Sequence, residues 1–229
     1  MYKVMNEWKH MFKLDPAKDI NDEQLEQLCE SGTDAIIVGG TDNVTLDGVL
    51  DLLASIRRYS VPCVLEISGL DMITPGFDYY FIPMVMNSTE KKWMMDLQHE
   101  AIKEYKDIMD WNDMFVESYC ILNEDAKAFK KAECKVPTTE DVTAYAYMAE
   151  NVFHLPIFYL EYSGKYGDPE LVKQVKKELD DTLLFYGGGI TSQIQAKEMK
   201  EHADVIIVGN SIYTDFKSAL KTVKTVSEH

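Results

Sequence analysis

The chain has 229 residues, 46% of them hydrophobic and 27% charged, a composition typical of a globular protein and unlike that of a disordered or fibrous one. Its 39 acidic residues against 23 basic ones give a net charge of −16. This charge argues against a nucleic-acid-binding protein and against electrostatic docking to anionic lipid. A phosphorylated substrate must therefore be held by local groups: a metal cation, a lysine or backbone N–H groups.

The sequence predicts a cytoplasmic protein. No apolar run approaches the roughly 18 residues that a membrane-spanning helix needs, and residues 1–10 are too polar for a secretory signal peptide. The four cysteines are scattered and show no Cys-x-x-Cys pair. This pattern favours free thiols in a reducing compartment over a disulfide framework or a zinc site.

Short apolar runs alternate with amphipathic helical segments along the whole chain. Such runs are typical of strands buried on both faces of a parallel sheet. We interpret residues 1–229 as one α/β domain, a (β/α)8 TIM barrel, in which a loop over 68–78 replaces the helix after strand three. A doubly wound open sheet is the alternative, because sequence alone does not show closure. The eight predicted strands are 11–14, 35–38, 63–67, 79–86, 115–122, 157–161, 183–186 and 205–208.

Four residues are predicted to cap helices at their N-termini. Asn21, Thr138 and Thr191 have side chains that can accept a hydrogen bond from the first turn. Asp168 precedes Pro169, and proline is favoured at the first helical position.

Two glycine-rich turns follow the predicted strands seven and eight. Their sequences are GGGITS over 187–192 and VGNS over 208–211, each leading into a helix. Glycine leaves backbone N–H groups accessible, and loops at these two positions form the phosphate site of many TIM barrels. The alternative is that the glycines only permit tight turns.

The first two strands end in groups suited to a magnesium site. Lys13 and Asp15 are two residues apart and therefore point the same way along a strand, and Thr41 follows the second strand. Mg²⁺ prefers one or two carboxylates together with water and substrate phosphate oxygens. Alternatively, Asp15 and Pro16 only begin a turn and Lys13 is a solvated charge.

Glu161 lies among apolar and aromatic residues at the end of the sixth strand. A carboxylate is costly there unless it acts as a base, binds a hydroxyl or has an ion partner. It is our candidate catalytic residue, and a structural ion pair with a lysine is the alternative.

Taken together, the strand-end sequences FKLDP, VGGT, YLEYSG, YGGGI and VGNSIY resemble those of the geranylgeranylglyceryl phosphate synthase family, and most closely its bacterial PcrB branch of heptaprenylglyceryl phosphate synthases. The resemblance covers nearly the whole chain. It implies a Mg²⁺-dependent prenyltransferase that joins a long polyprenyl diphosphate to the 3-hydroxyl of sn-glycerol 1-phosphate. It also implies a homodimer, and the apolar substrate is compatible with transient membrane contact.

The resemblance further implies roles for individual residues. Asp15 and Thr41 would bind magnesium, Glu161 would orient and deprotonate the hydroxyl, and Ala101 would leave room for a long prenyl tail. The residues implied to bind glycerol phosphate are Lys13, Tyr159, Leu160, Glu161, Tyr162, Ser163, Gly164, Gly189, Gly209 and Asn210.

Two other classes of function fit the sequence pattern. A sugar-phosphate isomerase or lyase would use the same phosphate site, but would need neither a metal nor a long apolar groove. A non-catalytic module that binds phospholipid would have no need of Glu161 among aromatic residues. Chain-elongating prenyl synthases of helical fold are disfavoured, because the sequence has no DDxxD motif.

Overall fold

A computed structural model describes residues 4–227 and shows a closed barrel of eight parallel strands in sequence order. Pairing between β1 and β8, with Phe12 opposite Val208, closes the sheet and rules out the open-sheet alternative. Residues 1–3 and 228–229 of the predicted domain lie outside the described residues. The strands are β1 His10–Leu14, β2 Ala35–Val38, β3 Cys63–Glu66, β4 Tyr79–Val85, β5 Met114–Ile121, β6 Ile157–Glu161, β7 Leu183–Gly187 and β8 Val205–Val208.

The strands are apolar on both faces because each face meets a different part of the core. Met11, Ile157 and Tyr159 belong to the cluster that fills the barrel interior. Phe12 and Leu160 belong to the outer cluster, where the strands pack against the helices. Since side chains alternate along a strand, this register determines which residues can reach the inside of the barrel.

Helices follow the strands around the outside of the barrel, and three of the four predicted caps begin a helix. The Asn21, Thr138 and Asp168 side chains each accept a backbone N–H bond from the first turn of a helix. The prediction for Thr191 is wrong by one residue: Ser192 is the cap, because its hydroxyl accepts from Gln195. The helices are α1 Asp22–Cys29, α2 Leu46–Ile56, α3 Leu97–Tyr105, α4 Lys127–Lys131, α5 Thr139–Met148, α6 Pro169–Lys176, α7 Gln193–Lys200, α8 Ser211–Thr214 and α9 Phe216–Ser227.

The barrel departs from regular alternation after β3 and β4. Only a 3₁₀ turn, Leu70–Met72, follows β3, which confirms the predicted loop. A π-helical segment, Lys92–Asp96, leads directly into α3. No helix within residues 4–227 is long and apolar enough to cross a bilayer.

Candidate active site

A cavity of about 960 Å³ opens at the carboxyl ends of the strands, where TIM barrels place their active sites. Polar strand-end residues line one part of it, and apolar residues of α3 and its surroundings line another. Most of the residues predicted for the site lie on this cavity: Lys13, Asp15, Thr41, Ala101, Tyr159, Glu161, Ser163, Gly164, Gly189, Gly209 and Asn210.

Two residues predicted for the glycerol-phosphate site do not line the cavity. Leu160 and Tyr162 are buried in the outer cluster, against the helices. They alternate with Tyr159 and Glu161, whose side chains face the barrel interior. Their side chains therefore lie away from the cavity, and the role in glycerol-phosphate binding that the resemblance implies for these two residues stays a prediction.

Lys13 and Glu66 form a largely buried ion pair at the centre of the barrel. The Lys13 Nζ lies 2.7 Å from Glu66 Oε1 and 2.8 Å from Glu66 Oε2. Burial acts to lower the pKa of Lys13, but the nearby carboxylates of Glu66 and Glu161 outweigh it and leave that pKa raised. Lys13 is therefore a cation held at the floor of the cavity.

Tyr119 connects this ion pair to Glu161. Its hydroxyl lies 3.1 Å from Lys13 Nζ and 3.1 Å from Glu161 Oε2. The other carboxylate oxygen of Glu161 accepts a hydrogen bond from the backbone N–H of Ser163. Glu161 is thus hydrogen-bonded at both oxygens while it lines the cavity.

Glu117 is a further acidic residue in this cluster. Its side chain is fully buried, and neither carboxyl oxygen has a hydrogen-bond partner within residues 4–227. Burial, followed by the charge of Glu66, raises its pKa well above the ordinary value. Because a bare carboxylate is very costly in such a place, the surroundings of Glu117 favour its neutral acid form.

Sequence reasoning missed Glu66, Glu117 and Tyr119. Glu66 ends β3 as Glu161 ends β6, and both Glu66 and Glu117 are carboxylates inside otherwise apolar runs. The signal that identified Glu161 was therefore present for both. Tyr119 carries no such signal, because a tyrosine in a buried strand is ordinary core.

The ends of β1 and β2 lie close together at Asp15 and Gly40. A side chain at residue 40 would come within 2.5 Å of Asp15 Oδ1, so Gly40 leaves room for the Asp15 carboxylate in its present position. Asp15 Oδ1 accepts a hydrogen bond from the N–H of Ala17, and Thr41 lies on the same cavity.

Within residues 4–227 no three acidic, histidine or cysteine side chains form a metal cluster. A carboxylate and a hydroxyl that leave places for water and substrate oxygens nevertheless suit Mg²⁺.

The loops after β6, β7 and β8 converge on one side of the cavity. Gly164 and Gly189 both have positive φ, 83° and 56°, which only glycine adopts readily. A side chain at residue 164 would also meet Asn210 Nδ2 at 2.6 Å. Their two N–H groups have no hydrogen-bond partner among the described residues. This arrangement leaves main-chain donors available to an anion.

An apolar groove leaves the polar centre along α3. Leu97, Ala101 and Tyr105 line it and are spaced four residues apart, which places them on one face of α3. Trp93 of the preceding π-helical segment also lines the groove.

Comparison with known proteins identifies the family of this chain. The PcrB family model matches residues 3–227. The chain belongs to the PcrB family. It is 68% identical over 225 residues to the heptaprenylglyceryl phosphate synthase of Oceanobacillus iheyensis, covering 98% of each chain. It is 61% identical over 229 residues to the protein of that name from a Geobacillus species, covering both chains fully.

Solved structures show the same fold. The (S)-3-O-geranylgeranylglyceryl phosphate synthase of Thermoplasma acidophilum, solved in complex with sn-glycerol-1-phosphate, matches this PcrB chain with a TM-score of 0.86. The alignment covers 99% of this chain and 96% of the other at 22% identity.

Proposed function

We propose that this PcrB-family protein is a heptaprenylglyceryl phosphate synthase. It transfers the heptaprenyl group of heptaprenyl diphosphate to the 3-hydroxyl of sn-glycerol 1-phosphate. A carbon–oxygen ether bond forms, the bond from the prenyl carbon to the diphosphate oxygen breaks, and the hydroxyl proton passes to a base. The observation that carries this proposal is the cavity itself, which joins a polar, anion-compatible centre to a long apolar groove. The names of its relatives support the same reaction.

The glycerol phosphate lies between the β6, β7 and β8 loops in this proposal. Its phosphate accepts from the free N–H groups of Gly164 and Gly189, near Gly209 and Asn210, and Lys13 supplies a positive charge. Tyr159 and Ser163 form the adjoining wall. The glycerol then extends toward Glu161, which orients its 3-hydroxyl and accepts the proton as the ether bond forms.

Asp15 and Thr41 hold Mg²⁺ in this proposal. When bound, the ion neutralises the negative charge that builds on the departing diphosphate. Holding both substrates in line supplies a further part of the acceleration, because the reaction becomes effectively unimolecular.

The prenyl tail occupies the groove along α3, with Ala101 as the small residue that leaves it room.

Several side chains around the groove are exposed and apolar, which suits brief contact with a membrane where the lipid substrate resides. These side chains are Met95, Ile102, Ile108 and Trp111, between 44% and 60% exposed. We further propose a cytoplasmic homodimer built from single-domain chains.

Turnover of labelled substrate tests this function. The purified protein, given Mg²⁺, heptaprenyl diphosphate and labelled sn-glycerol 1-phosphate, should transfer label into an organic-extractable ether lipid. A matched reaction with labelled sn-glycerol 3-phosphate tests the stereochemistry. Absence of extractable product with every prenyl chain length would contradict the proposal, and activity on a small phosphosugar in the presence of chelator would favour a sugar-phosphate isomerase or lyase instead.

A further inference from the structure

Tyr119 lies where the charged groups of the site meet. It is 6% exposed, and its ring packs against Tyr159 with 4.5 Å between ring centroids. Its hydroxyl is within hydrogen-bond distance of three charged side chains, on β1, β3 and β6: Lys13 at 3.1 Å, Glu66 at 3.3 Å and Glu161 at 3.1 Å. The ring is thus fixed by packing, and the hydroxyl has three competing partners.

The chemistry of these partners determines where the single hydroxyl proton points. A lysine ammonium only donates, so the Tyr119 oxygen accepts from Lys13. Glu66 already receives Lys13 at both of its oxygens, at 2.7 and 2.8 Å. The Tyr119 proton therefore goes to Glu161, the nearer of the two carboxylates.

The bond from Tyr119 completes the fixation of Glu161. Ser163 N–H holds one carboxylate oxygen from the following loop, and Tyr119 holds the other from the neighbouring strand β5. A carboxylate fixed at both oxygens does not rotate freely about its terminal bond, so its remaining lone pairs keep fixed directions. A base must lie within hydrogen-bond reach of the proton that it removes.

We propose that Tyr119 is a positioning residue for the transfer reaction, which orients Glu161 toward the glycerol hydroxyl and links it to Lys13 beneath the phosphate. This inference rests on the proposed function. Burial, followed by the charge of Glu66, raises the pKa of Tyr119 well above its ordinary value. The hydroxyl therefore keeps its proton throughout the range in which the enzyme would be assayed.

The Tyr119→Phe variant removes only the hydroxyl and tests this role. When one hydrogen bond to a charged group is lost from the transition state, kcat should fall by about 10- to 100-fold. The matched control is Tyr80→Phe, which removes a buried hydroxyl that accepts from Phe77 N–H on the outer side of the barrel. This control should retain the wild-type kcat.

The pH profile separates positioning from a structural role. A carboxylate that loses a donor is protonated more readily, so the acidic limb of kcat/KM should move to higher pH in Tyr119→Phe. The other groups facing Glu161 stay unchanged in this variant: Lys13 on β1, Glu66 on β3, Glu117 on β5 and Tyr159 on β6. Incorporation of 3-fluorotyrosine at 119, which keeps the hydroxyl, should restore a rate near that of wild type.

The outcomes of the experiment are distinguishable. An active wild type with an unchanged kcat and acidic limb in folded Tyr119→Phe overturns the role of Tyr119 alone. If Tyr119→Phe does not fold, the 3-fluorotyrosine protein decides. Its rate should stay near that of wild type, but its more acidic hydroxyl donates more strongly to Glu161, so its acidic limb should move to lower pH. An unchanged acidic limb in this protein overturns the role of Tyr119. A wild type that forms no product overturns the proposed function and this inference together.

Discussion

The substitution Ala101→Trp should shorten the prenyl chain that this enzyme accepts. Leu97, Ala101 and Tyr105 follow one another at single-turn spacing on α3, and all three line the groove. Ala101 presents only a methyl group between two large side chains, so the wall has a notch at this point. An indole placed there would fill the notch and obstruct the path of the tail.

The size of the effect follows from the tail carbons that lose their burial. Burying one methylene is worth about 0.8 kcal/mol, so one isoprene unit of five carbons contributes up to about 4 kcal/mol. If half of that is lost for a single unit beyond the obstruction, the penalty is about 2 kcal/mol, or about 30-fold in kcat/KM. A heptaprenyl tail extends three units beyond a geranylgeranyl tail, so the longer substrate carries the penalty.

The assay compares kcat/KM for heptaprenyl and geranylgeranyl diphosphate in wild type, Ala101→Trp and the control Ala54→Trp. Ala54 is exposed on α2 and does not line the cavity. We expect Ala101→Trp to lose at least about 30-fold on the heptaprenyl substrate and little on the shorter one. Equal losses on both substrates, or none on either, would refute the placement of the tail along α3.

Three further predictions concern the polar centre and the core. Glu161→Gln should lower kcat by at least about 100-fold at unchanged melting temperature, because it removes the base; a rate close to wild type would exclude Glu161 from the proton transfer. Asp15→Asn keeps an oxygen for the Ala17 N–H but removes a charge, so the Mg²⁺ concentration for half-maximal activity should rise, and an unchanged metal requirement would argue against Asp15 as a ligand. Burial lowers the pKa of His10 from 6.5 to about 3. Below pH 6.5 the unfolded chain therefore binds a proton that the folded chain does not. The contribution of neutral His10 to the free energy of unfolding is fully present above that pH and should fall by about 1.4 kcal/mol per pH unit toward pH 3. Urea unfolding at pH 7.5 and 5.0 measures how much unfolding free energy is lost on acidification. This loss should be smaller in His10→Gln than in wild type or in the surface control His99→Gln, and identical losses in all three would contradict this reasoning.

The barrel was predictable because its strands are buried on both faces and read as apolar runs. The loop after β3 was predictable from the glycine and proline of residues 68–78, and the structure has only a 3₁₀ turn there. The same apolar runs conceal which side of a strand faces the barrel interior. The resemblance implies Leu160 and Tyr162 as site residues together with their neighbours, although alternation from Glu161 places their side chains on the outer face of β6.

The contacts at the centre of the site were harder to predict, because the residues that make them are far apart in the sequence. Lys13 meets Glu66 across 53 residues, and Tyr119 meets Glu161 across 42. No local pattern encodes such partners, which depend on the closure of the sheet. The glycine loops, in contrast, could be found because their backbone requirement appears directly in the sequence.

The most direct test of the central claim is a crystal structure with sn-glycerol 1-phosphate and an unreactive thio analogue of heptaprenyl diphosphate bound together. We expect the phosphate to accept from the N–H groups of Gly164 and Gly189, the 3-hydroxyl to lie within hydrogen-bond distance of Glu161, and the tail to pass Ala101. A phosphate bound away from these loops, or a tail that leaves the barrel by another path, would contradict this account.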